Sequence, residues 1–236
     1  MEKRSIGILG GMGPLATADL FRKIVTLTRA GCDGDHIRVY IDSNSSIPDR
    51  TAAILNGGPD PLPAMRDSLR KLERCGADCI IMPCNTAHYF LPRLQALTDV
   101  PFLSMLEAAA KAARDRFSGG TAAVLATRGT LSSGLYQRAL EAEEVPYLIP
   151  DEAEQAALMR AIYDGVKADA APEAYRADLE SVVESMSRRG AGYFILGCTE
   201  LPLAAAALGL AAPTLDPTEE LAKSAIRWCG FQVKGE

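Results

Sequence analysis

The chain carries CGADCIIMPCNT at residues 75–86 and a related stretch, RGAGYFILGCTE, at residues 189–200. One offset aligns both Gly76 with Gly190 and Cys84 with Cys198 (190 − 76 = 198 − 84 = 114). Each stretch has a Gly-Ala turn, then an apolar run typical of a buried parallel strand, then a cysteine where the run ends. The pair predicts a duplicated fold with one thiol at the matching point of each half.

The duplication extends to both sides of this stretch. IGILGGMG at 6–13 resembles AAVLATRG at 122–129, and VPFLSM at 100–105 resembles APTLDP at 212–217. Short apolar runs alternate with helical patterns, which favours parallel sheets with helices on both faces. We therefore predict an α/β protein of two pseudo-symmetric, doubly wound lobes with its active site in the cleft between them. The expected lobes are residues 1–103 plus 213–236, and residues 104–212.

The pattern predicts individual elements as follows. Strands are expected at 5–9, 37–41, 78–82, 102–105, 121–126, 146–149, 192–196 and 214–215. Helices are expected at 14–30, 61–75, 106–117, 131–143, 152–168, 172–189 and 217–229, and after each of Cys84 and Cys198. Residues 43–60 are expected to form a polar loop with one helical turn at 50–55.

Composition excludes several classes of function. Of the 236 residues, 48% are apolar and 23% are charged, which is typical of a globular protein. A net charge of −5 without a basic run argues against nucleic-acid binding, and no apolar run approaches membrane-spanning length. We expect a cytoplasmic protein whose six cysteines stay reduced. The pair Cys75 and Cys79 lacks a second pair of ligands, so no metal is expected.

Cys84 and Cys198 are the first candidates for chemistry. Ligands of open parallel sheets collect at the carboxyl ends of the strands, and helix N-termini there favour anions and thiolates. A free thiol has a pKa of about 8.5, which such a position lowers. The alternative is a small buried hydrophobic residue, which is the interpretation preferred for Cys75 and Cys79. Matched positions in both halves favour function for Cys84 and Cys198.

Polar residues follow each of these thiols. They are Asn85 and Thr86 after Cys84, and Thr199 and Glu200 after Cys198. They could contact a ligand, cap a helix, or do both. His88 lies four residues after Cys84, where it would either tune the thiol or occupy a half-exposed helix position.

The glycine loop after the first strand has two interpretations. Gly11-Met12-Gly13-Pro14-Leu15-Ala16 matches G-x-G-x-x-A, and Asp42 closes the second strand, as in a dinucleotide fingerprint. The equivalent loop of the second half, residues 126–130, lacks these glycines. We therefore prefer a loop that brings a small ligand close to the backbone, and keep nucleotide binding as a lesser alternative.

Two cations, Arg50 and Lys167, are candidates for carboxylate binding. Arginine can hold a carboxylate through two parallel hydrogen bonds. Judged by local sequence alone, both residues would be solvated surface charges.

The chain resembles the aspartate/glutamate racemase superfamily, and within it the aspartate racemase branch. The matching stretches are GILGGMGPLAT (7–17), PDRT (48–51), MPCNTAH (82–88), GVK (165–167) and GCTEL (197–201). They span nearly the whole chain. Glutamate racemases typically carry His at the position of Glu200 and Asp-Ser-Gly at the position of Gly10-Gly11-Met12. These departures favour the aspartate branch, or a relative that accepts both acidic amino acids.

The resemblance implies a racemase that needs no cofactor and acts on aspartate, with glutamate as a second candidate substrate. It implies that Cys84 and Cys198 are the acid/base pair and that Arg50 and Lys167 hold substrate carboxylates. The residues implied to line the pocket are Met12, Asn85, Thr86, Thr127, Thr199 and Glu200. It also suggests a homodimer. The alternatives are a single-thiol decarboxylase or cis–trans isomerase on the same scaffold, and a two-lobed amino-acid-binding protein without chemistry.

Overall fold

A computed structural model describes residues 4–236 of the chain. It divides into two compact units, of which the first ends at Met105 and resumes at Thr218, and the second comprises Leu106–Pro217. Within residues 4–236, no helix is long and apolar enough to cross a membrane.

The first unit contains three strands and the helices that flank them. Its strands are β1 (Ile6–Gly10), β2 (Val39–Ser43) and β3 (Cys79–Ile81). Its helices are α1 (Pro14–Leu27), α2 (Arg50–Leu55), α3 (Leu62–Arg74) and α4 (Leu91–Gln95), with 3₁₀ turns at Asp33–Asp35 and Thr86–Phe90.

The second unit repeats this order with additional helices. Its strands are β4 (Ala122–Ala126), β5 (Tyr147–Leu148), β6 (Tyr193–Gly197) and β7 (Thr214–Leu215). Its helices are α6 (Arg128–Ser132), α7 (Leu135–Ala142), α8 (Glu152–Arg160), α9 (Glu173–Arg188) and α10 (Leu201–Leu208), with a π-helical turn at Ala161–Gly165 and a 3₁₀ turn at Val166–Ala168. Helix α5 (Met105–Arg116) leads from the first unit into the second, and α11 (Pro217–Trp228) leads back.

The two sheets share one parallel topology. The strand order is β2-β1-β3 in the first and β5-β4-β6-β7 in the second. A parallel bridge between Ile80 and Phe102 adds a fourth position to the first sheet. The same pairing recurs in the second sheet between Phe194 and Thr214, 114 and 112 residues later. This equivalence confirms the predicted α/β fold with duplicated parallel sheets.

Each sheet is covered by apolar side chains on both faces, as buried parallel strands require. In β1, Ile6 and Ile8 pack with α1 and α11, while Leu9 packs with α3. In β6, Phe194 and Leu196 pack with α8 and α9, while Ile195 packs with α5 and α7. The inner strands β1 and β6 are therefore buried throughout, which explains their continuous apolar sequences, whereas the edge strand β2 is partly exposed.

The structure differs from the predicted elements in several places. The helix expected at 152–168 is α8 followed by the π-helical turn and a 3₁₀ turn. Residues 102–105 form one bridge rather than a strand. The helix expected after Cys84 is a 3₁₀ turn followed by the short α4, which has a proline in its first turn. The helix expected at 131–143 is interrupted by Gly134, whose φ is +68°. β7 pairs with β6, and the second compact unit extends to Pro217, whereas the division expected from the sequence ended the second lobe at residue 212.

Candidate active site

Each candidate thiol follows one of the two strands that flank the switch point of its sheet, where the chain connections change direction. This switch point lies between β1 and β3 in the order β2-β1-β3, and between β4 and β6 in the counterpart β5-β4-β6. Doubly wound folds bind their ligands at the carboxyl ends of the two strands that flank the switch point. Cys84 lies three residues beyond β3, and Cys198 lies directly after β6. Each is 6% exposed. The structure thus places the two cysteines at equivalent points of two equivalent sheets.

The residues around Cys84 are buried. Cys84 packs in one apolar cluster with Met12, and Asn85 and Thr86 are also buried. The next residues form a 3₁₀ turn, in which the His88 backbone N–H donates to the Asn85 carbonyl at 3.1 Å. The polar residues after this thiol therefore belong to a compact turn and not to the first turn of a long helix.

His88 does not occupy the half-exposed position suggested by its spacing, because it is 3% exposed. Its Nε2 accepts the Met105 backbone N–H at 3.0 Å, which leaves the ring proton on Nδ1, 2.9 Å from the Cys84 carbonyl oxygen. Burial lowers the pKa of His88 to about 4, partly offset by the backbone acceptors of Cys84 and Asn85. His88 is thus a neutral donor to the backbone of Cys84.

The glycine loop after β1 is shaped by internal packing. Thr17 Oγ1 accepts the Gly11 N–H at 2.9 Å and donates to the Gly13 carbonyl at 3.0 Å. A Cβ on Gly11, whose φ is +90°, would lie 2.2 Å from the Asn44 backbone. The backbone of the loop after β2 therefore by itself requires glycine at position 11.

Arg50 is buried, at 8% exposed, and is not the solvated charge that local sequence predicts. Its guanidinium donates to the Pro48 carbonyl at 3.0 Å and to the Met12 carbonyl at 3.2 Å. Asp49 caps α2 by accepting the Ala52 N–H at 2.8 Å, which fixes the turn that carries Arg50. The structure thereby ties Arg50 to the glycine loop.

Cys198 has a carboxylate partner. Its Sγ donates to Glu200 Oε2 at 2.9 Å, and the Thr199 hydroxyl donates to the same oxygen at 3.2 Å. Burial raises the pKa of the Cys198 thiol well above its ordinary value, and the negative charge of Glu200 raises that pKa further. The positive charge of Lys167 and the Glu200 backbone N–H act in the opposite direction. Cys198 is consequently a protonated thiol beside a base.

Lys167 is exposed and is carried by an irregular segment. The π-helical turn ends at Gly165, and Lys167 lies in the following 3₁₀ turn. Its Nζ lies 4.4 Å from the centroid of the Tyr163 ring, a cation–π arrangement. π-Helical turns occur often at functional sites. The structure brings the charge of Lys167 to bear on Cys198.

Thr127 follows β4 at the same sheet edge. The register pairs Ala126 with Gly197, which puts Thr127 and Cys198 directly after neighbouring strand residues. Thr127 caps α6, where its hydroxyl lies 3.1 Å from that of Thr130. Capping thus accounts for the Thr127 hydroxyl.

Two neighbours of the site were not foreseen from the sequence. Tyr136 is fully buried, and the negative charges of Asp216 and Cys198 add to the burial that raises its pKa. No local pattern links it to Cys198, 62 residues later. Tyr163 precedes Lys167 by four residues, a helical spacing that could have revealed it.

Comparison with known proteins defines the class. The Asp/Glu/hydantoin racemase family matches residues 9–225, so the chain belongs to this family. The family resemblance inferred from the sequence motifs is therefore confirmed.

Individual relatives cover nearly the whole chain. The broad specificity amino-acid racemase RacX of Bacillus subtilis is 28% identical over 94% of this chain and 96% of its own. The structure of Picrophilus torridus aspartate racemase has a TM-score of 0.83 and 30% identity, covering 98% of this chain and 96% of that one. An aspartate racemase homologue from Pyrococcus horikoshii, with a TM-score of 0.75, 24% identity and coverage of 96% and 99%, shows the same fold.

Proposed function

We propose that this protein interconverts L- and D-aspartate by a two-base proton transfer at Cα, with Cys84 and Cys198 as the two acid/base groups and without pyridoxal phosphate. The observation that carries the proposal is the equivalent placement of two buried thiols at the switch points of two equivalent sheets. Family membership and the similarity to an aspartate racemase over 98% of the chain support it.

Inversion requires the two groups to be in different protonation states. One thiolate removes the Cα proton, and a protonated thiol delivers a proton to the opposite face. Burial and the charge of Glu200 favour the protonated form of Cys198, which makes Cys198 the acid in one direction and Cys84 the base. In the reverse direction Cys198 is the thiolate and Cys84 the protonated thiol, which is the state in which one forward turnover leaves the enzyme. Return to the first state needs a proton from solvent on Cys198 and loss of the Cys84 proton to solvent, and Glu200 Oε2, 2.9 Å from the Cys198 sulfur, is placed to relay the Cys198 proton.

An acidic amino acid, aspartate or also glutamate, is favoured because it carries two carboxylates, and the similarity to an aspartate racemase points to aspartate. Arg50 is a cation in a buried setting, already anchored by backbone carbonyls, and Lys167 is a second cation close enough to affect Cys198. We assign both to the substrate carboxylates, and we assign further substrate contacts to Met12, Asn85, Thr86, Thr127, Thr199 and Glu200. A carbanion-like charge on the α-carboxylate would be stabilised by the same cations.

The test is a chiral assay of single enantiomers of the proteinogenic amino acids, in D₂O and without added pyridoxal phosphate or metal. Inversion of aspartate with deuterium at Cα is expected. A decarboxylated or isomerised product would instead indicate a single-thiol reaction, and absence of Cα exchange would indicate a binding protein.

Cysteine variants test the mechanism in the same assay. Cys84→Ser and Cys198→Ser should each nearly abolish inversion, because a serine hydroxyl is a far weaker acid than a thiol. Cys75→Ser, at an exposed cysteine, is the matched control and should retain the parent rate. If either site variant racemises at close to the parent rate, the two-thiol mechanism is wrong.

A further inference from the structure

The buried imidazole of His88 is not used by the proposed chemistry, yet it joins two parts of the first unit. One ring nitrogen bonds the carbonyl of Cys84, four residues earlier, and the other bonds the N–H of Met105, 17 residues later. Both contacts are to backbone, and both partner residues are buried.

Each contact has a structural consequence. Met105 is the first residue of α5, and the first N–H groups of a helix have no partner within the helix. His88 Nε2 supplies that partner. Because Nε2 is the acceptor, Nδ1 carries the proton and restrains the Cys84 carbonyl, which belongs to the residue whose sulfur is proposed to act.

We propose that His88 is a positioning residue, which holds the backbone of Cys84 so that the Cys84 thiol is directed at the substrate. Of the two hydrogen bonds of His88, the one to Cys84 is the one that the reaction requires. The inference rests on the proposed function. It goes beyond that function because His88 itself exchanges no proton with substrate.

Two substitutions separate the contacts. In His88→Asn, the amide nitrogen occupies about the position of Nδ1 and can still donate to the Cys84 carbonyl. In His88→Gln, the amide oxygen occupies about the position of Nε2 and can still accept from Met105. Both variants remove a similar part of the buried ring, so each serves as the other's control for lost packing. Circular dichroism and thermal unfolding will show that both variants are folded.

The expected results differ between the two variants. Misplacing a reacting group by about 1 Å can cost on the order of a hundredfold in rate. His88→Gln should therefore lower kcat for aspartate at least tenfold with KM within about twofold, whereas His88→Asn should keep kcat within about threefold. In D₂O, His88→Gln should raise the ratio of Cα exchange to inversion for one enantiomer only, the same enantiomer for which Cys84→Ser retains exchange. Equal losses in both variants, or an unchanged ratio, would overturn the positioning role.

A second measurement does not depend on racemisation. The chain has two histidines, so long-range ¹H–¹⁵N spectra of the ¹⁵N-histidine-labelled protein, with His36→Gln for assignment, will show which nitrogen of His88 carries the proton. The Nδ1–H form is expected, and alkylation of Cys84 by iodoacetamide should change in His88→Gln but not in His88→Asn. If the parent protein does not racemise aspartate, the proposed function fails while these two results still decide the contact. An Nε2–H form, or equal Cys84 reactivity in both variants, would overturn the inference itself.

Discussion

Replacing His88 with glutamine is expected to remove part of the pH dependence of stability of the first unit. The pKa of His88 is lowered to about 4 in the folded protein, principally by burial, against an ordinary value of 6.5. Between these values the unfolded chain binds more protons than the folded one. Stability contributed by the neutral ring is therefore complete above pH 6.5 and is lost as the pH falls towards 4.

The size of the effect follows from the two pKa values. One pKa unit corresponds to about 1.4 kcal/mol, so the full shift amounts to about 3 kcal/mol. Between pH 7 and pH 5, the linkage relation gives a loss of about 2 kcal/mol from His88 alone. Carboxylates add their own pH dependence, but a comparison of parent and His88→Gln cancels what the two proteins share.

Denaturant unfolding followed by tryptophan fluorescence measures this loss. The single tryptophan, Trp228, lies in the first unit with His88, so its signal reports the relevant part of the molecule. The parent should lose about 2 kcal/mol more than His88→Gln between pH 7 and pH 5. If parent and His88→Gln lose equal stability over this interval, the neutral buried state of His88 is refuted.

Other predictions concern the charged residues of the proposed site. Arg50→Ala should raise KM for aspartate about ten- to a hundredfold, since a charge-assisted hydrogen bond contributes about 1.5–3 kcal/mol. Arg50→Lys should also have a raised KM, because an ammonium lacks the two-pronged geometry of a guanidinium. Steady-state kinetics of Arg50→Ala within about twofold of the parent would exclude Arg50 from the site. Glu200→Gln should lower the pKa of the Cys198 thiol and speed its alkylation near pH 8, as followed by mass spectrometry, because the Glu200 charge raises that pKa. Lys167→Ala should slow the same alkylation, because the Lys167 charge lowers the pKa of Cys198, and a shift in the same direction in both variants would contradict this account.

The unusual feature of the Cys198 environment is that two opposing charges act on one buried thiol. Glu200 accepts its hydrogen bond, while Lys167 favours its ionised form. A group that must both give and take a proton needs its two forms to be close in free energy, since the ideal pKa of an acid/base catalyst lies near the operating pH. Burial and Glu200 outweigh Lys167, so the pKa of Cys198 remains raised, and Lys167 is the residue that acts in the direction this requirement needs.

The sequence alone determined the duplicated α/β fold and the placement of the two cysteines. The reason is that buried parallel strands are read from continuous apolar runs, and the position just after such a run is fixed relative to the sheet edge. Cys84 and Cys198 could therefore be assigned to equivalent strand ends before any coordinates were known. Helix interruptions were missed because a single residue, such as Gly134, decides them.

Only the tertiary structure decided the surroundings of these thiols. Arg50 is buried because the carbonyl of Met12, 38 residues earlier, lies against its guanidinium. His88 is neutral because burial lowers its pKa, and the N–H of Met105 decides which of its nitrogens is the acceptor. Contacts between distant backbone groups leave no periodic trace in the sequence. A polar residue that looks solvated can therefore be buried wherever the fold supplies backbone partners that satisfy its hydrogen bonds.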